Sequence, residues 1–505
     1  GLLMGGVMEE TFVTYEAFGA VGDGKQDDSR AIQKAHAYAN EHRLPVRGKE
    51  GAVYYMGGRT LTAEIQTDTD WSGATFILDD REAENVKKPV FLVTSRLQAY
   101  DLDISSFQKD QKQLGRTLPT DCFVTIEDVN HRKYIRFGLN VDNGTEQTDC
   151  FVVRKDGTIE NPIIWDFPEV TSCVAHPVDE EPLTLTGGTF VTIANQAERV
   201  YNYYWRNIEI RRSNTQVVNL SHTNTEEGES GSPYRGFLRI ADCAYVTVKD
   251  SYFTGHKIYE TIGRAGLPVP MGSYDIDVYR SSDVAFYRCR QDGIMDRTRW
   301  GLIGTNFCKN LYLESCTFSR FDAHMGVTNA HLKNCRLGWQ CLNAIGHGTF
   351  IVEDTEAYGR ALVNLREDYG STWDGDMVIR NCIWHPAEPA ASVLWTSNGG
   401  HHDFGYVCRM PRKLTVENLK IMDGAFAEKE GYEGPTIFNN YDKEIHESDP
   451  GLDREYPYVT AKEVHLSGII TESGKEIRLK ENPYSMPGLC NVYLGSAGIN
   501  SIGRR

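Results

Sequence analysis

Short segments in which apolar and polar residues alternate recur through the middle of the chain. They share a small or thiol-bearing last residue, and they are Ile208–Ser213, Val246–Ser251, Val284–Cys289, Leu311–Cys316, Ala330–Cys335, Phe350–Thr355 and Met377–Cys382. Alternation with period two is typical of strands that bury one face. Their last residues lie 19 to 38 positions apart, which predicts a solenoid whose coils each supply a few short strands.

The last residues of these segments fall at one register of the predicted coil. Cys289, Cys316, Cys335 and Cys382 would therefore stack as a ladder of small side chains inside the solenoid. A buried free cysteine behaves as a small apolar residue. We therefore predict that these thiols are core positions rather than nucleophiles or metal ligands.

The N-terminal region predicts a cap over the open end of the solenoid, because the first coil would otherwise expose its core. A helix is expected here, with Asp28 or Ser29 as its N-cap and with Ala31, Ile32 and Ala35 as its apolar stripe.

The segment Phe18-Gly-Ala-Val-Gly-Asp-Gly24, followed by Asp27-Asp28 and this helix, resembles the N-terminal signature of the pectate-lyase-like superfamily. That superfamily includes polygalacturonase-type glycoside hydrolases, polysaccharide lyases and phage tail-spike depolymerases. The resemblance implies an all-β fold, a right-handed parallel β-helix with an N-terminal capping helix, and activity on a polysaccharide. It does not specify the reaction, because one fold hosts many chemistries.

Residues 86–200 lack the ladder pattern and instead contain hairpin-like strands around the turn Asp142-Asn-Gly. They predict an antiparallel β insertion between early coils. The expected organisation is a cap with the first coils (1–85), the insertion (86–200), the main β-helix with the active-site groove (201–425) and a C-terminal cap or arm (426–505).

Charge and composition narrow the class of protein. The chain has 53 Lys and Arg against 70 Asp and Glu, a net charge of −17, which argues against nucleic acid as a partner. No apolar run has the length of a membrane span. The twelve cysteines include no C-x-x-C pair, which argues against a thiolate zinc site. Without a signal peptide pattern at its start, the chain is expected in the cytoplasm, and secretion after processing is the alternative.

Candidate catalytic and binding residues are identified by aligning the repeats on their ladder residues. Strands that stack in parallel place residues at the same register next to one another. Eight positions after Cys289, Cys316 and Cys335 come Arg297, His324 and Asn343, and nine after Thr355 comes Asn364. The alignment gathers polar and titratable residues on one face: Glu260, Asp296, Arg297, Arg299, Trp300, Asp322, His324, Asn343, His347, Asn364, Arg366 and Asp368.

Asp296 and Asp322 are the predicted acid–base pair. They are 26 residues apart, which suggests one coil of separation, and two carboxylates at such a distance can flank a glycosidic bond. One would stay protonated beside a like charge and act as the acid, while the other would activate water.

Two histidines complete the predicted catalytic set. His324 lies beside Asp322 in sequence, where a neutral imidazole can act as a base. Gly346-His347-Gly348 is similar to the Gly-His-Gly that polygalacturonase-type hydrolases carry after their catalytic aspartates. The chain lacks the other motifs of those hydrolases at the expected places.

The remaining residues are predicted to bind substrate. Arg297, Arg299 and Arg366 gather in an otherwise acidic chain, which suggests a uronate or another anionic sugar. Trp300 could stack on a sugar ring. Polar contacts are expected from Glu260, Asn343, Asn364 and Asp368.

Three functions remain open at this point. The leading hypothesis is a glycoside hydrolase acting on an acidic polysaccharide. The second is a polysaccharide lyase that uses a histidine or arginine base and arginines that neutralise the uronate carboxylate. The third is a non-catalytic β-helical module that binds glycans. No cofactor or metal is predicted, since His401-His402-Asp403 lacks the spacing of a recognised site.

Overall fold

Parallel strands wind into a right-handed β-helix with three faces. The computed structural model describes residues 11–59, 61–198, 202–396, 403–439, 459–479, 491–495 and 502–503. Each coil passes through face A, then face B, then face C, and each strand pairs in parallel with its equivalents in neighbouring coils. The predicted all-β parallel β-helix is confirmed.

The strands that lie on a single face are short. Face A contains Val13–Thr14, Val46–Arg47, Thr69–Asp70, Leu183–Thr186, Thr215–Val218, Ala244–Lys249, Ser282–Tyr287 and Asn491–Leu494. Face B contains Asp23–Asp27, Val53–Met56, Thr75–Asp79, Thr189–Ile193, Ser221–Thr225 and Glu356–Gly359. Face C contains Ala63–Ile65, Phe91–Val93, Ile208–Ile210, Arg235–Ala241, Tyr274–Tyr279, Ala361–Leu365, Ser392–Trp395, Thr436–Phe438, Ile477–Arg478 and Ile502–Gly503.

Later coils contain longer strands that bend around the corners between faces. They are Ile303–Glu314, Thr317–Lys333, Arg336–Glu353, Trp373–Pro386, Lys413–Ile421 and Glu463–Thr471. Short 3₁₀ turns lie at Glu16–Phe18, Gly138–Asn140, Glu367–Tyr369 and Gly424–Phe426.

The predicted thiol ladder lies inside the β-helix. Cys289, Cys316, Cys335 and Cys382 are 1 to 4% exposed. Each thiol points at a backbone carbonyl of the coil before it; Cys316, for example, lies 3.5 Å from the carbonyl of Phe286. The prediction that these cysteines are core residues is confirmed.

Helix α1, Ser29–His42, covers the N-terminal end and buries Ala31, Ile32, Ala35 and Ala39. Asp28 is its N-cap residue but makes no side-chain cap bond. Its carboxylate accepts the amides of Val21 and Gly22 in the preceding glycine-rich segment, and Asp27 accepts the amide of Ser29 instead. The acidic pair Asp27-Asp28 thus shapes the segment that leads into the helix as well as the start of the helix.

His36 of α1 predicts how stability depends on pH. Its ring is fully buried, its Nε2 lies 2.7 Å from the Tyr15 hydroxyl, and burial lowers its pKa to about 3. In the unfolded chain the His36 imidazole takes up a proton below about pH 6.5, whereas in the folded protein it stays neutral down to about pH 3. His36 therefore does not affect stability above about pH 6.5, and it lowers the free energy of unfolding as the pH falls from about 6.5 towards 3.

We expect His36→Gln, which cannot titrate, to lose less unfolding free energy than wild type between pH 7.5 and 4.5 in urea titrations. His42→Gln changes an exposed histidine of the same helix and serves as the control. Equal losses in wild type and His36→Gln would contradict the assignment.

The insertion is a four-stranded antiparallel sheet of Tyr100–Asp101, Cys122–Lys133, Thr145–Val153 and Ser172–Pro177. It is shorter than the predicted range of 86–200. Phe91–Val93, Leu183–Thr186 and Thr189–Ile193, at the two ends of that range, pair with coil strands. A separate hairpin, Tyr259–Ile262 with Pro268–Met271, projects between faces B and C.

The predicted C-terminal cap or arm is a continuation of the β-helix in the part that the structure describes. Glu463–Thr471 pairs with Lys413–Ile421 and buries Val464, Leu466 and Ile469. Its alternating pattern is the same as in the earlier coils, so its strand stacks on them for the same reason.

Candidate functional site at the corner of faces C and A

One line of residues follows face C from coil to coil. Gly304, Asp322, Asn343, Asn364 and Trp395 are successive register partners. The predicted alignment of Asn343 with Asn364 is therefore correct, but Arg297 and His324 lie off this register. The partner of Asp322 in the preceding coil is Gly304, because a loop between Arg290 and Ile303 lengthens that coil and shifts the count.

Asp296 lies in that loop, on an exposed turn. Its Oδ1 accepts the amide of Thr298 at 2.9 Å and the hydroxyl of Thr298 at 2.7 Å. These bonds lower the pKa of Asp296. A carboxylate held in this way is a turn-forming group that stays ionised at neutral pH.

Asp322 is fully buried. It accepts the hydroxyl of Tyr274, lies 2.6 Å from Arg366, and lies 3.3 Å from Arg320. Burial by itself would raise the pKa of Asp322, but Arg320 and Arg366 hold it below the usual value. The lowered pKa values of both carboxyls argue against the predicted pair, in which either Asp296 or Asp322 would keep a proton.

The variant Asp296→Asn tests whether Asp296 has a catalytic role. Asparagine can accept the same two bonds from Thr298, so we expect the free energy of unfolding to change by less than about 0.5 kcal/mol. We also expect kcat/KM on any glycan that the wild type cleaves to stay unchanged. A hundredfold loss of activity in this variant would restore Asp296 as a catalytic group.

Asp322 belongs to a chain of alternating charges at the corner where face C turns into face A. Arg366 also lies 3.0 Å from Asp368, and Asp368 binds Arg136 of the insertion. The Arg366 and Arg136 charges hold the pKa of Asp368 far below its usual value although burial opposes them. Three arginines face two aspartates, so the cluster carries one positive charge in excess.

His324 lies against this cluster. Its Nε2 is 3.5 Å from Arg136 Nη2, and its ring stands perpendicular to that of Tyr369 at 5.2 Å. Burial, with help from the Arg366 charge, lowers the pKa of His324 to about 3. The imidazole is therefore neutral at physiological pH, as a general base must be.

The other predicted binding residues have structural partners. Arg299 pairs with Glu227 at 2.8 Å. Trp300 packs between Tyr274 and the Arg320 guanidinium.

The amide of Asn364 donates to Asn343 at 2.7 Å, which forms an amide ladder between coils. Arg297 is exposed on the Asp296 turn, and Glu260 is exposed on the hairpin.

His347 lies at the same corner, one coil further, and lines a cavity of about 260 Å³ between the β-helix and the insertion. Trp165 of the insertion contacts the imidazole edge-on at 5.6 Å. The buried Nδ1 of His347 has no hydrogen-bond partner. Burial lowers the pKa of His347 to about 4, with Lys109 and Arg409 adding to the effect and Asp374 opposing it.

The cavity is rich in charge. Lys109, Lys133 and Arg409 supply three cations, and Asp166 and Asp374 supply two carboxylates. Asp374 is the register partner of His347 and lies 3.7 Å from Lys109 and 3.8 Å from Arg409.

Sequence reasoning identified His347 but none of these neighbours. Lys109, Lys133 and Trp165 belong to the insertion, which carries no repeat signal, and only its docking brings them to this corner. Arg136 is a further example of the same kind.

Two segments meet above face C. The tip of the hairpin contacts the insertion loop through Arg264 and Asp142, 3.1 Å apart, and through the amide of Ala265, 3.3 Å from the carbonyl of Leu139. The hairpin leaves the β-helix between faces B and C, and Arg136 of the insertion binds Asp368 at the corner of faces C and A. His222 lies inside the β-helix, where its imidazole contacts Asp275 at 2.9 Å.

The residues that the structure describes contain neither a cluster that could hold a metal ion nor a membrane-spanning helix. No group of three or more His, Cys, Asp and Glu in these ranges is arranged to hold a metal ion, and His401 and His402 lie outside them. No described helix is long and apolar enough to cross a membrane.

Comparison with known proteins places the fold. No protein-family model and no curated protein matches the chain. Gp54, the tailspike of Acinetobacter baumannii bacteriophage AP22 solved in complex with A. baumannii capsular saccharide, matches with a TM-score of 0.56, at 9% identity over 98% of this chain and 77% of its own. Tailspike gp49 from Pseudomonas phage LKA1 matches with a TM-score of 0.51, at 12% identity over 98% and 84%.

At these identities the fold alone is shared. The chain has the parallel β-helix architecture of phage tailspikes, and the fold that the N-terminal signature implied is confirmed.

Proposed function

We propose that this protein binds and cleaves an acidic polysaccharide by β-elimination, at the cavity that His347 lines. The observation that carries the proposal is a neutral imidazole in a cavity where three cations, Lys109, Lys133 and Arg409, outnumber two carboxylates, Asp166 and Asp374. A base and a set of cations around a carboxylate are what elimination from a uronate requires.

In this reaction His347 removes the proton from C5 of a uronate. The cations stabilise the negative charge that then develops on the carboxylate group, the C4–O bond breaks, and a C4=C5 double bond forms. The oxygen that leaves with the neighbouring sugar takes a proton from solvent, and His347 then returns the C5 proton to solvent, which restores the base. Atoms and charges balance without a cofactor, and no water is added across the bond.

Hydrolysis by the predicted aspartates is less well supported. It needs one carboxyl that keeps its proton near neutral pH, whereas the pKa values of Asp296 and Asp322 are lowered. That the AP22 tailspike was solved with a capsular saccharide supports a glycan as the ligand of this fold, and it leaves the reaction open.

A product screen tests the proposal. The protein is incubated with uronate-containing and neutral polysaccharides, and the products are read by ultraviolet absorbance and mass spectrometry. We expect cleavage of an acidic glycan, an ultraviolet-absorbing unsaturated end, and fragment masses without an added water. Fragments that carry one extra water would overturn elimination in favour of hydrolysis. Tight binding of an acidic glycan with no cleavage would overturn the enzymatic proposal.

A further inference from the structure

A second, larger cavity lies beside the C-terminal coils, at the corner between faces B and C. It has a volume of about 720 Å³, and its walls include Glu388, Ser392, Trp395, Tyr432 and Arg478. It shares no residue with the His347 cavity.

Trp395 connects this cavity with the proposed site. It is the register partner of Asn364, which follows Asn343 and Asp322 along face C. Neighbouring coils of a parallel sheet are about 4.8 Å apart, so two coil spacings, about 10 Å along the helix axis, separate Trp395 from Asn343, which lies on the strand that carries His347. A glycan that spans this axial distance would therefore reach both cavities.

The walls of the cavity are suited to a sugar ring. The Trp395 ring is half-buried, its Nε1 has no hydrogen-bond partner, and Arg360 holds it from one side at 4.1 Å from the ring centre. Tyr432 is fixed by a 2.5 Å bond from its hydroxyl to Asp423. Rigid aromatic rings with polar edges are typical of surfaces that bind amphipathic ligands.

The charges around this cavity differ from those around His347. Glu388, Glu430 and Glu433 face two cations, Lys429 and Arg478, and Arg478 is held by Glu433 at 3.3 Å and by the carbonyl of Gly434 at 2.8 Å. Carboxylates accept hydrogen bonds from sugar hydroxyls but repel a uronate. The excess of acidic groups therefore favours an uncharged sugar.

The rim loop has a shape that depends on glycine. Gly434 has φ +97°, and a Cβ there would lie 2.7 Å from the carbonyl of Glu476. A larger residue could not keep this approach between the loop and the next coil, so Gly434 keeps Tyr432 and Glu433 in place on the cavity wall.

We propose that this cavity is a second sugar subsite, which takes an uncharged unit of the polysaccharide whose uronate unit binds at His347. The inference rests on the proposed function for the identity of the polymer. It implies a heteropolysaccharide that contains both acidic and uncharged sugars, because the two cavities have opposite excess charge.

Saturation-transfer NMR on the full chain tests the subsite without requiring cleavage. The probes are glucose, galactose and N-acetylglucosamine, with glucuronate and galacturonate for comparison, each with wild type, Trp395→Ala and Trp395→Phe. We expect at least one uncharged sugar to give a signal that falls at least fivefold in Trp395→Ala and is largely kept in Trp395→Phe. Tyr358→Ala, which removes a half-buried aromatic ring from face B, should leave the signal unchanged.

Two results would overturn the subsite: no signal from any uncharged sugar, or a signal that Trp395→Ala leaves intact while thermal unfolding shows a folded variant. A uronate signal that depends on Trp395 would overturn the assignment to an uncharged unit. If the product screen shows no cleavage but the Trp395-dependent signal is present, the subsite stands and the proposed reaction fails.

Discussion

Replacing His347 by glutamine is expected to lower kcat on the acidic glycan by a factor of about 10² to 10⁴, the usual contribution of a positioned general base. Glutamine is similar in size and polarity but cannot accept the C5 proton. The cations at the cavity remain, so we expect KM to change little. Initial rates from the ultraviolet absorbance of the product measure both constants.

The pH profile gives the same experiment a second readout. The pKa of His347 is about 4, so its imidazole is neutral above that value and the base is lost as the pH falls through it. In a plot of kcat against pH, we expect the acidic limb, where this base becomes protonated, to have its midpoint near pH 4. That is well below the pKa of about 6.5 that is typical of an exposed histidine. A limb near 6.5, or a His347→Gln variant with wild-type kcat, would exclude His347 as the base.

His331→Gln is the matched control for this variant. His331 lies on face A, half-buried, and contacts Glu353 at 2.8 Å, away from the cavity. It should leave kcat unchanged. If it lowers kcat as much as His347→Gln does, the effect of both variants comes from damage to the fold.

Lys309→Met is expected to lower the free energy of unfolding by about 3 to 5 kcal/mol, the cost of leaving a buried charge without its partner. Lys309 on the β-helix lies 2.6 Å from Asp149 of the insertion, with their side chains 2 and 3% exposed, and its Nζ also binds the carbonyl of Pro162. Urea denaturation at pH 7 measures the change.

The double variant Lys309→Met with Asp149→Asn separates the lost charge from the lost packing. Asparagine removes the uncompensated charge, and its single acceptor oxygen can still accept one of the two amides that Asp149 binds, that of Cys150 at Oδ1 or that of Ile164 at Oδ2. We therefore expect the double variant to be more stable than Lys309→Met alone. Lys88→Met changes an exposed lysine and should be neutral. A loss below about 1 kcal/mol in Lys309→Met would mean that solvent reaches this pair.

This ion pair also bears on the site. The same docking surface places Trp165 and Lys109 beside His347 and Arg136 beside Asp368. If Lys309→Met loosens the insertion while the β-helix stays folded, we expect the variant to lose activity even under conditions in which the β-helix remains folded.

The local pattern of apolar and polar residues was sufficient to predict the main architecture of the chain. The ladder of Cys289, Cys316, Cys335 and Cys382 could be identified in the sequence because every coil must place a small residue at the same interior corner. The capping helix could be identified because its apolar stripe recurs at helical spacing. Both features depend on residues close to one another along the chain.

The residues that form the site could not be predicted from the local pattern, because their positions depend on the register between coils and on how the insertion docks against the β-helix. The spacing of 26 residues placed Asp296 opposite Asp322, but the loop before Ile303 puts Gly304 there instead. A single loop of uncertain length shifts the alignment of the coil that contains it, whereas strand pairing fixes the register.

The sequence by itself determined that this chain coils into a capped β-helix with a thiol-lined interior and polar residues along one face. Only the tertiary structure decided which of those residues meet. It buried Asp322 among arginines, left Asp296 on a turn, and brought insertion residues more than 170 positions away to His347. The physical reason is that strand alternation is a local property, while contacts between an inserted sheet and a distant coil depend on the packing of the whole molecule.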